Sequence, residues 1–348
     1  MPSELISNTT KGKARWKKGL LFSFLFLIIL IGSGFVYEMI ASKLGEQAFP
    51  MQGKLIQIDS GNYQLHLQRT GESRKGVPII IMEAGSGETS LSWGDIPAQL
   101  APFATVVTYD RAGYAWSTKA RTERTGEHIV KELHEALDKE GIKGPYILVG
   151  HSLGGMYARL FAQTYREEVT GLVLIDARTE DYMRETASIY AQETNQERPS
   201  AFLLGLMKSS GVLRLFQDSL LEGLVAKEKR SQFINVIAKP SYFDAVEEEV
   251  KLLGSTEDAI RGQKLGDIPV RVIPRGIPHP FSNAGISEQG AKKLEEIWQA
   301  GQRRMLDIST NSKLIVAMKS GHMVINDEPQ LVADVTREVM ALTTATKN

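Results

Sequence analysis

The stretch LVGHSLGGMYA, residues 148–158, passes from an apolar, strand-like segment through a sharp turn into a helix-like segment. Gly150, Ser152 and Gly154 give the pattern G-x-S-x-G between the predicted strand and the predicted helix. A residue at such a turn takes a strained backbone conformation, so the residues two positions away must lack a β-carbon to avoid collisions. The stretch therefore predicts a serine hydroxyl that projects above a sheet, beside the N-terminus of a helix.

Short apolar runs alternate with helix-like stretches on both sides of this turn. The runs begin at Val77, Thr105, Tyr146, Gly171, Ile268 and Lys313, and each ends in polar or glycine-rich residues. Continuous apolar strands that alternate with helices are typical of a parallel sheet covered on both faces. Residues 54–71 predict an antiparallel hairpin, around a Gly-Asn turn, at the start of this sheet. Ligands bind beyond the carboxyl ends of such strands, which makes the polar residues there the candidates for function.

The alternation fails once, between Ala177 and about Gly266. This segment contains no convincing strand, and its helix-like stretches have broad apolar faces. A long insertion in a compact domain usually has a function. We therefore predict a helical cap over residues 178–266, inserted after the sixth strand of a core formed by residues 52–177 and 267–345.

The N-terminal residues predict a membrane anchor. Five basic residues precede the apolar run against a single acidic one: Lys11, Lys13, Arg15, Lys17 and Lys18 against Glu4. The run from Gly19 to Tyr37 has no charged side chain, and about 20 apolar residues span a bilayer as a helix. We predict a transmembrane signal anchor over 19–41, a basic cytoplasmic tail over 1–18, and the remaining chain on the extracytoplasmic side of the cell membrane. A cleaved signal peptide is the alternative, although no clean A-x-A site follows the run.

The composition narrows the function classes. The formal net charge is zero, which gives no reason to expect a nucleic-acid partner, and the chain has no cysteine, which excludes disulfides and cysteine nucleophiles. The sequence contains no H-E-x-x-H motif, P-loop or dinucleotide-binding glycine pattern. We therefore expect no metal and no organic cofactor. The expected partners are a small-molecule or lipid substrate and the membrane, and the oligomeric state is left open.

Four stretches, in chain order, resemble the α/β-hydrolase family whose members carry a helical cap. They are MEAGSGETSLSW (82–93), YDRAGYAWS (109–117), the turn around Ser152, and SGHMVINDEP (320–329). The resemblance extends from about residue 52 to the end of the chain. It implies an eight-stranded, mostly parallel sheet with helices on both faces.

The resemblance also implies roles for individual residues. Ser152 would be the nucleophile, and His322 would be the base that takes its proton. The backbone N–H groups of Leu153 and Ser86 would stabilise the oxyanion. Trp93 keeps the family spacing in the loop after the third strand, and His279 lies near the expected mouth of the site. We expect these two side chains to bind substrate.

The acid of the triad departs from the common family pattern. Many members carry it after the seventh strand, but residues 268–285 contain no carboxylate. The sixth strand ends in Asp176, which some lipases of this fold use instead, and we predict that Asp176 orients His322. Asp110 is predicted to stabilise its own turn, and Asp327 to cap the last helix.

Where the family usually reads His-Gly before the oxyanion residue, this sequence reads Glu83-Ala84-Gly85 and so brings a carboxylate close to the expected oxyanion. A carboxylate there would repel an oxyanion unless it is turned away or paired, and Arg111 and Arg275 are both possible partners.

The sequence as a whole predicts a membrane-anchored serine hydrolase that acts on hydrophobic carboxylic esters through an acyl-enzyme. A proline-iminopeptidase-like aminopeptidase is an alternative, for which Glu222, Glu228 and the run 247–249 could bind an amine. The same sequence features are also compatible with a C–C bond hydrolase, a perhydrolase or a non-catalytic binding protein.

Overall fold

A computed structural model describes residues 3–59, 62–193, 199–222, 225–281 and 285–345, with the backbone alone for 3–15, 17, 18 and 345. The chain forms two compact units. The first comprises residues 1–50 and 200–240, and the second comprises residues 51–199 and 241–348.

The second unit is built on a single eight-stranded sheet. Its strands are β1 (Lys54–Ile58), β2 (Tyr63–Thr70), β3 (Ile79–Glu83), β4 (Val106–Asp110), β5 (Tyr146–His151), β6 (Val169–Ile175), β7 (Val270–Ile273) and β8 (Ser312–Leu314). Their order across the sheet is β1-β2-β4-β3-β5-β6-β7-β8. Only β2 pairs antiparallel with its neighbours, β1 and β4, and all other pairs are parallel. The predicted mostly parallel sheet of eight strands is thereby confirmed.

Helices occupy most of the remaining described residues. They are α1 (Ser3–Ala48), α2 (Ile96–Leu100), α3 (Gly126–Lys139), α4 (Leu153–Thr164), α5 (Tyr182–Glu193), α6 (Ala201–Ser209), α7 (Val212–Leu215), α8 (Gln217–Leu220), α9 (Arg230–Gln232), α10 (Pro240–Lys251), α11 (Leu253–Ile260), α12 (Glu288–Arg304), α13 (Val324–Asp327) and α14 (Pro329–Ala345). Short 3₁₀ segments cover Ser90–Trp93, Arg166–Glu168, Lys227–Lys229 and Met305–Ile308, and a π-helical turn covers Phe233–Ile237.

The core explains why the central strands are continuously apolar. Successive side chains of a strand point to opposite faces of the sheet. In β5 the side chain of Leu148 packs into the hydrophobic cluster on one face, and that of Ile147 packs into the cluster on the other. Helices cover both faces, so every residue of β5 is buried. The carboxyl ends of β3, β5, β6 and β7 consequently meet at one edge.

The turn between β1 and β2 falls partly outside the described residues. Gly61 is not among them, and Asn62 has a positive φ of 52°, which an asparagine tolerates better than most residues.

The predicted cap, residues 178–266, is divided between the two units. Residues 200–240 lie in the first unit, and 178–199 and 241–266 lie in the second. The described part of this segment contains the helices α5 to α11 and no strand.

The predicted anchor, 19–41, lies within α1, which continues to Ala48. The stretch Gly19–Ala48 contains an 18-residue window with a mean hydropathy of 2.5 and no buried residue, and it is long and apolar enough to cross a membrane. The first two residues and the basic side chains of the tail lie outside what the structure describes. In the first unit α1 packs against α6 and the π-helical turn.

Candidate active site

Ser152 occupies the turn between β5 and α4 with a positive φ of 53°. As predicted, β-carbons at the positions two residues before and after Ser152 would collide with the backbone. A β-carbon on Gly150 would lie 2.6 Å from the carbonyl oxygen of Gly154, and one on Gly154 would lie 2.6 Å from that of Ala84. Real β-carbons do not approach other atoms so closely. The two glycines therefore allow the strained turn that exposes the Ser152 side chain.

The three side chains predicted to form a triad lie in one hydrogen-bonded series. The Ser152 Oγ is 3.0 Å from the His322 Nε2, and the His322 Nδ1 is 2.6 Å from the Asp176 Oδ2. Ser152 follows β5, Asp176 follows β6, and His322 lies in the loop before α13. These distances allow the serine hydroxyl to donate to the imidazole and the imidazole to donate to the carboxylate.

Asp176 is fully buried, and it receives further hydrogen bonds that the sequence did not predict. The Arg275 Nη1 donates to its Oδ2 over 2.8 Å, the Arg275 backbone N–H to its Oδ1 over 3.2 Å, and the Trp298 Nε1 to its Oδ1 over 2.7 Å. Burial raises the pKa of Asp176, but the hydrogen bond with His322 and the charge of Arg275 lower it more, to about 2. Asp176 is thus a carboxylate at neutral pH.

Arg275 occupies the segment after β7 and binds Asp176 from there. It lies beyond the end of β7, where many family members carry the acid, and here that position supplies the cation that holds Asp176. In the sequence, the arginine at the position where the family often has its acid was the one feature that could have indicated this contact with Asp176. Nothing in the sequence indicated Trp298, which reaches Asp176 from α12.

Two other aspartates considered as acids are engaged elsewhere. The Asp110 Oδ2 lies 2.7 Å from the His66 Nδ1, and its Oδ1 accepts from the Ser90 backbone N–H over 2.8 Å, so its carboxylate binds β2 and the segment at Ser90, and not its own turn. Asp327 ends α13 and accepts from the Ser320 hydroxyl over 2.8 Å, so the prediction that it caps the last helix was wrong.

The predicted oxyanion donors lie on the two backbone segments next to Ser152. Leu153 is the first residue of α4, where the backbone N–H has no acceptor within the helix. The loop after β3 approaches from the other side, because a β-carbon on Gly85 would lie 3.1 Å from the Ser152 Cβ. Ser86, the next residue, is exposed.

Arg111 fixes the orientation of this loop. Its guanidinium donates to the carbonyl oxygens of Ala84, over 2.6 Å, and Gly85, over 2.7 Å. The N–H of a trans peptide points opposite to its carbonyl group. Because the Gly85 carbonyl points toward Arg111, the Ser86 N–H points away from it.

Arg111 is also the partner of Glu83, which decides between the two cations that the sequence offered. The Arg111 Nη1 lies 3.0 Å from the Glu83 Oε1, and its Nε lies 2.9 Å from the Glu249 Oε1. The Tyr109 hydroxyl donates to the second oxygen of Glu83. Burial raises the pKa of Glu83 to about 7, against the opposing effect of the Arg111 charge. Arg275, the other possible partner, binds Asp176.

Replacing Arg111 with methionine is expected to lower the free energy of unfolding by about 3–5 kcal/mol, because two buried carboxylates lose their cation. Urea denaturation of the full chain in detergent measures the loss. Arg261→Met is the matched control, since Arg261 is 38% exposed and pairs with Asp181 at the surface, where an ion pair contributes little to stability. Equal losses in the two variants would contradict the assignment.

His151 and Glu88 form a buried link between the segments around Ser152. The His151 Nδ1 lies 2.8 Å from the Glu88 carboxylate, and its Nε2 lies 2.8 Å from the carbonyl oxygen of His322. Glu88 also accepts from the Gly85 backbone N–H over 2.8 Å. Both ring nitrogens face acceptors, so an imidazolium satisfies the site completely. Burial lowers the pKa of His151, but Glu88 raises it more, and the net shift is upward from 6.5.

This link predicts a pH-dependent stability. With a raised pKa, the proton on His151 stabilises the fold fully below pH 6.5, and this contribution is lost as the pH rises through the folded-state pKa. Glu88→Gln removes the charge that raises it. The variant is expected to lose more free energy of unfolding at about pH 6 than at about pH 9, by urea denaturation. Glu185→Gln, which removes a surface partner of Arg304, is the control. A Glu88→Gln loss independent of pH would contradict the role.

The two predicted substrate-binding side chains lie in different surroundings. Trp93 is only 1% exposed and packs in the core with Met82 and Ile96, so its prediction as a substrate contact was wrong. The spacing of the family loop fixed its position but not the direction of its side chain. His279 is exposed, and its ring centroid lies 6.5 Å from that of His322, a position compatible with the predicted contact.

Glutamates of the acidic run 247–249 in α10 form hydrogen bonds with residues of the second unit. Glu249 is buried against Arg111 and Tyr114, and Glu248 accepts from the Arg124 backbone N–H over 3.3 Å. Glu222 and Glu228 are exposed in the first unit. Within the ranges the structure describes, no group of three or more histidine and acidic side chains is placed to hold a metal ion.

Comparisons with known proteins agree with this geometry. Residues 77–211 match the family model described as the alpha/beta hydrolase fold. An AB hydrolase superfamily protein of Gibberella zeae is 26% identical over 317 residues, which cover 82% of this chain and 94% of that protein. A probable transporter of Hormonema carpetanum, efuK, is 37% identical over 128 residues, but the match covers 35% of this chain and only 18% of that protein.

A solved structure supports the same fold. The epoxide hydrolase CorEH superposes with a TM-score of 0.58 at 19% identity, over 83% of this chain and 98% of that one. Together with the sheet order and the strand-turn-helix at Ser152, these matches show that the chain has the α/β-hydrolase fold.

Proposed function

We propose that this protein is a membrane-anchored serine hydrolase that cleaves hydrophobic carboxylic esters through an acyl-enzyme. The observation that carries the proposal is the series of hydrogen bonds from the Ser152 Oγ through the His322 ring to the Asp176 carboxylate. A serine hydroxyl is a poor nucleophile at neutral pH and needs such a base.

In the proposed reaction, the Ser152 Oγ attacks the acyl carbon while its proton passes to the His322 Nε2. Asp176 stabilises the resulting imidazolium. The oxyanion accepts hydrogen bonds from the N–H groups of Leu153 and Ser86, each of which typically contributes roughly 3–4 kcal/mol to the transition state. His322 then gives its proton to the leaving alkoxide. Water hydrolyses the acyl-serine in a second passage through the same steps.

The identity of the nucleophile favours acyl transfer over epoxide opening, despite the fold shared with CorEH. A serine that opened an epoxide would form an ether, which an attacking water does not cleave under mild conditions. A serine that attacks an acyl carbon forms an ester, which water cleaves with the help of the same base. Ser152 can therefore turn over only in the second case.

A cluster in the first unit supports a retained anchor. Glu38, in α1, is buried against Arg214, whose Nε lies 2.7 Å from its Oε2, and against the Lys208 ammonium. Cleavage of α1 after Glu38 would leave these two cations without their carboxylate, which is costly for buried charges. We therefore propose that α1 stays attached. The basic residues before Gly19 would face the cytoplasm, and the catalytic unit would lie on the extracytoplasmic side of the cell membrane.

The catalytic part is tested with a fluorophosphonate probe on the full chain in detergent. We expect one labelled serine, Ser152, identified by mass spectrometry of the peptide, and turnover of p-nitrophenyl acyl esters. Ser86→Ala is the matched control and should still be labelled, because the proposed donor is its backbone N–H. A native chain that is neither labelled nor active on esters would overturn the proposal, and a preference for prolyl p-nitroanilide would favour the aminopeptidase.

The anchor is tested separately. After extraction of membranes with alkaline carbonate, we expect the chain in the membrane pellet with its full mass of 38.5 kDa. A shorter chain with a new N-terminus would show a cleaved signal peptide and contradict the retained anchor.

A further inference from the structure

We propose that an apolar surface on α6, α7 and α8 lies in the membrane interface, in contact with lipid. We call it the cap lipid face, and it consists of Phe202, Leu203, Leu206, Leu215, Phe216 and Leu220. The inference rests on the anchoring part of the proposed function, and not on the proposed catalytic chemistry.

The exposure of these side chains is unusual for a surface in water. Phe202 is 78% exposed, Leu215 62% and Phe216 58%. Single exposed apolar residues are ordinary, but a group of large ones on neighbouring short helices marks an interaction site. In α6 the exposed side chains form one stripe, while Gly205 and Lys208 are buried on the other side.

The contacts of α1 give the depth of this surface. A β-carbon on Gly34 would collide with the carbonyl oxygen of Ser210, and one on Gly211 would lie 3.2 Å from the Gly34 carbonyl oxygen. The turn between α6 and α7 therefore packs against α1 at Gly34. This position lies inside the uncharged run that ends at Tyr37. Leu215 follows Gly211 within about one helical turn.

The ion pairs of Glu38 with Arg214 and Lys208 indicate the same depth for α6 and α7. Glu38 is the first charged residue after the uncharged run, and it lies about one helical turn beyond Gly34. Its bonds to Arg214, over 2.7 and 2.9 Å, and to Lys208 tie α6 and α7 to α1 at this level. If the run before Glu38 spans the hydrocarbon region, these helices are held where hydrocarbon gives way to head groups.

Lipid is the occupant that fits both exposed surfaces of this unit. The side chains of α1 from Leu20 to Ile31 are themselves largely exposed, and a bilayer is what covers them if α1 is an anchor. The helices of the cap lipid face belong to the same compact unit, and the turn between α6 and α7 packs against the end of this run at Gly34. One bilayer therefore covers both, whereas a soluble partner would have to bind beside the membrane. Apolar helix faces at such a level are typical of interfacial helices.

The absence of native cysteine makes a clean test possible. Single-cysteine variants of the full chain, labelled with the environment-sensitive fluorophore NBD, are reconstituted in phosphatidylcholine vesicles that contain spin-labelled lipids. We expect a blue-shifted, several-fold brighter probe at Phe202→Cys and Phe216→Cys, quenched by spin labels near the head groups. Ile28→Cys, in the predicted span, reports the anchor and should respond to deep spin labels. Lys227→Cys, an exposed polar position of the same unit, should respond to neither.

The outcomes separate a failure of the cap lipid face from a failure of the proposed anchor. Quenching at Ile28 without quenching at Phe202 and Phe216 would overturn the cap lipid face and leave the anchor. Quenching at Phe216 without Ile28 would support the face and contradict the anchor, and no quenching at either would overturn both. A blue shift at Phe216 that lipid labels do not quench, and that grows with the protein-to-lipid ratio, would show a second copy on the face and overturn the inference.

Discussion

Asp176→Asn is expected to lower kcat for ester hydrolysis by about 10⁴-fold. The amide would present N–H donors where the carboxylate accepts from His322 and Arg275. The imidazole would then have to accept at Nδ1 and carry its proton on Nε2. In that tautomer it cannot take the proton of the Ser152 hydroxyl. Initial rates on a p-nitrophenyl ester measure the effect.

The control for this variant is Asp327→Asn, which makes the same change in an aspartate five residues after His322. Its carboxylate bonds Ser320 and makes no contact with the His322 ring that the structure records, so we expect a less than tenfold change in kcat. Thermal unfolding of both variants shows whether they are folded, and Arg275 retains Glu295 as a partner at 2.6 Å. Full activity in Asp176→Asn would mean that Asp176 is not the acid.

Ser152→Ala is expected to lower kcat for the same esters by roughly 10⁶-fold and to abolish fluorophosphonate labelling. The reason is that, among the residues with described side chains, Ser152 supplies the hydroxyl that lies within hydrogen-bond distance of the His322 Nε2. The oxyanion donors belong to the backbone and remain. Alanine is also free of a branched side chain at a position with a φ of 53°, so the fold should persist.

The matched control is Ser86→Ala, which removes a hydroxyl from the same site but keeps the backbone N–H. We expect less than a tenfold fall in kcat for this variant. A labelled Ser152→Ala protein, or one that keeps its ester activity, would show that another residue is the nucleophile. A large loss in Ser86→Ala would assign a role to the hydroxyl.

The strands and the turn at Ser152 could be predicted from the sequence, because each depends on residues that are close together in the chain. Continuous apolar runs indicated the strands, and Gly150 and Gly154 indicated the turn because no other residue fits there. The acid was predicted from the resemblance, because some lipases of this fold carry it after the sixth strand, where Asp176 stands, and residues 268–285 contain no carboxylate. The geometry around His322 agrees with that choice.

Contacts between distant segments could not be predicted in the same way. The Glu88 and His151 pair joins residues 63 positions apart, and the bond from Arg214 to Glu38 spans 176. Such pairs depend on how the segments pack, and neither partner has a pattern of its own. The predicted substrate contact of Trp93 was wrong for a related reason. The spacing of a motif gives the position of a residue along the chain, but not the direction of its side chain.

The position of Glu249 has a consequence for engineering. Glu249 lies in α10 and forms an ion pair with Arg111. The Arg111 guanidinium in turn donates a hydrogen bond to the Gly85 carbonyl oxygen in the loop that carries Ser86. A chimera that exchanges residues 200–240 leaves this contact intact. A graft that replaces all of 178–266 removes it, unless the donor sequence brings a carboxylate to the same place. The longer exchange therefore also disturbs the loop that carries Ser86, whereas the shorter one leaves the support of that loop in place.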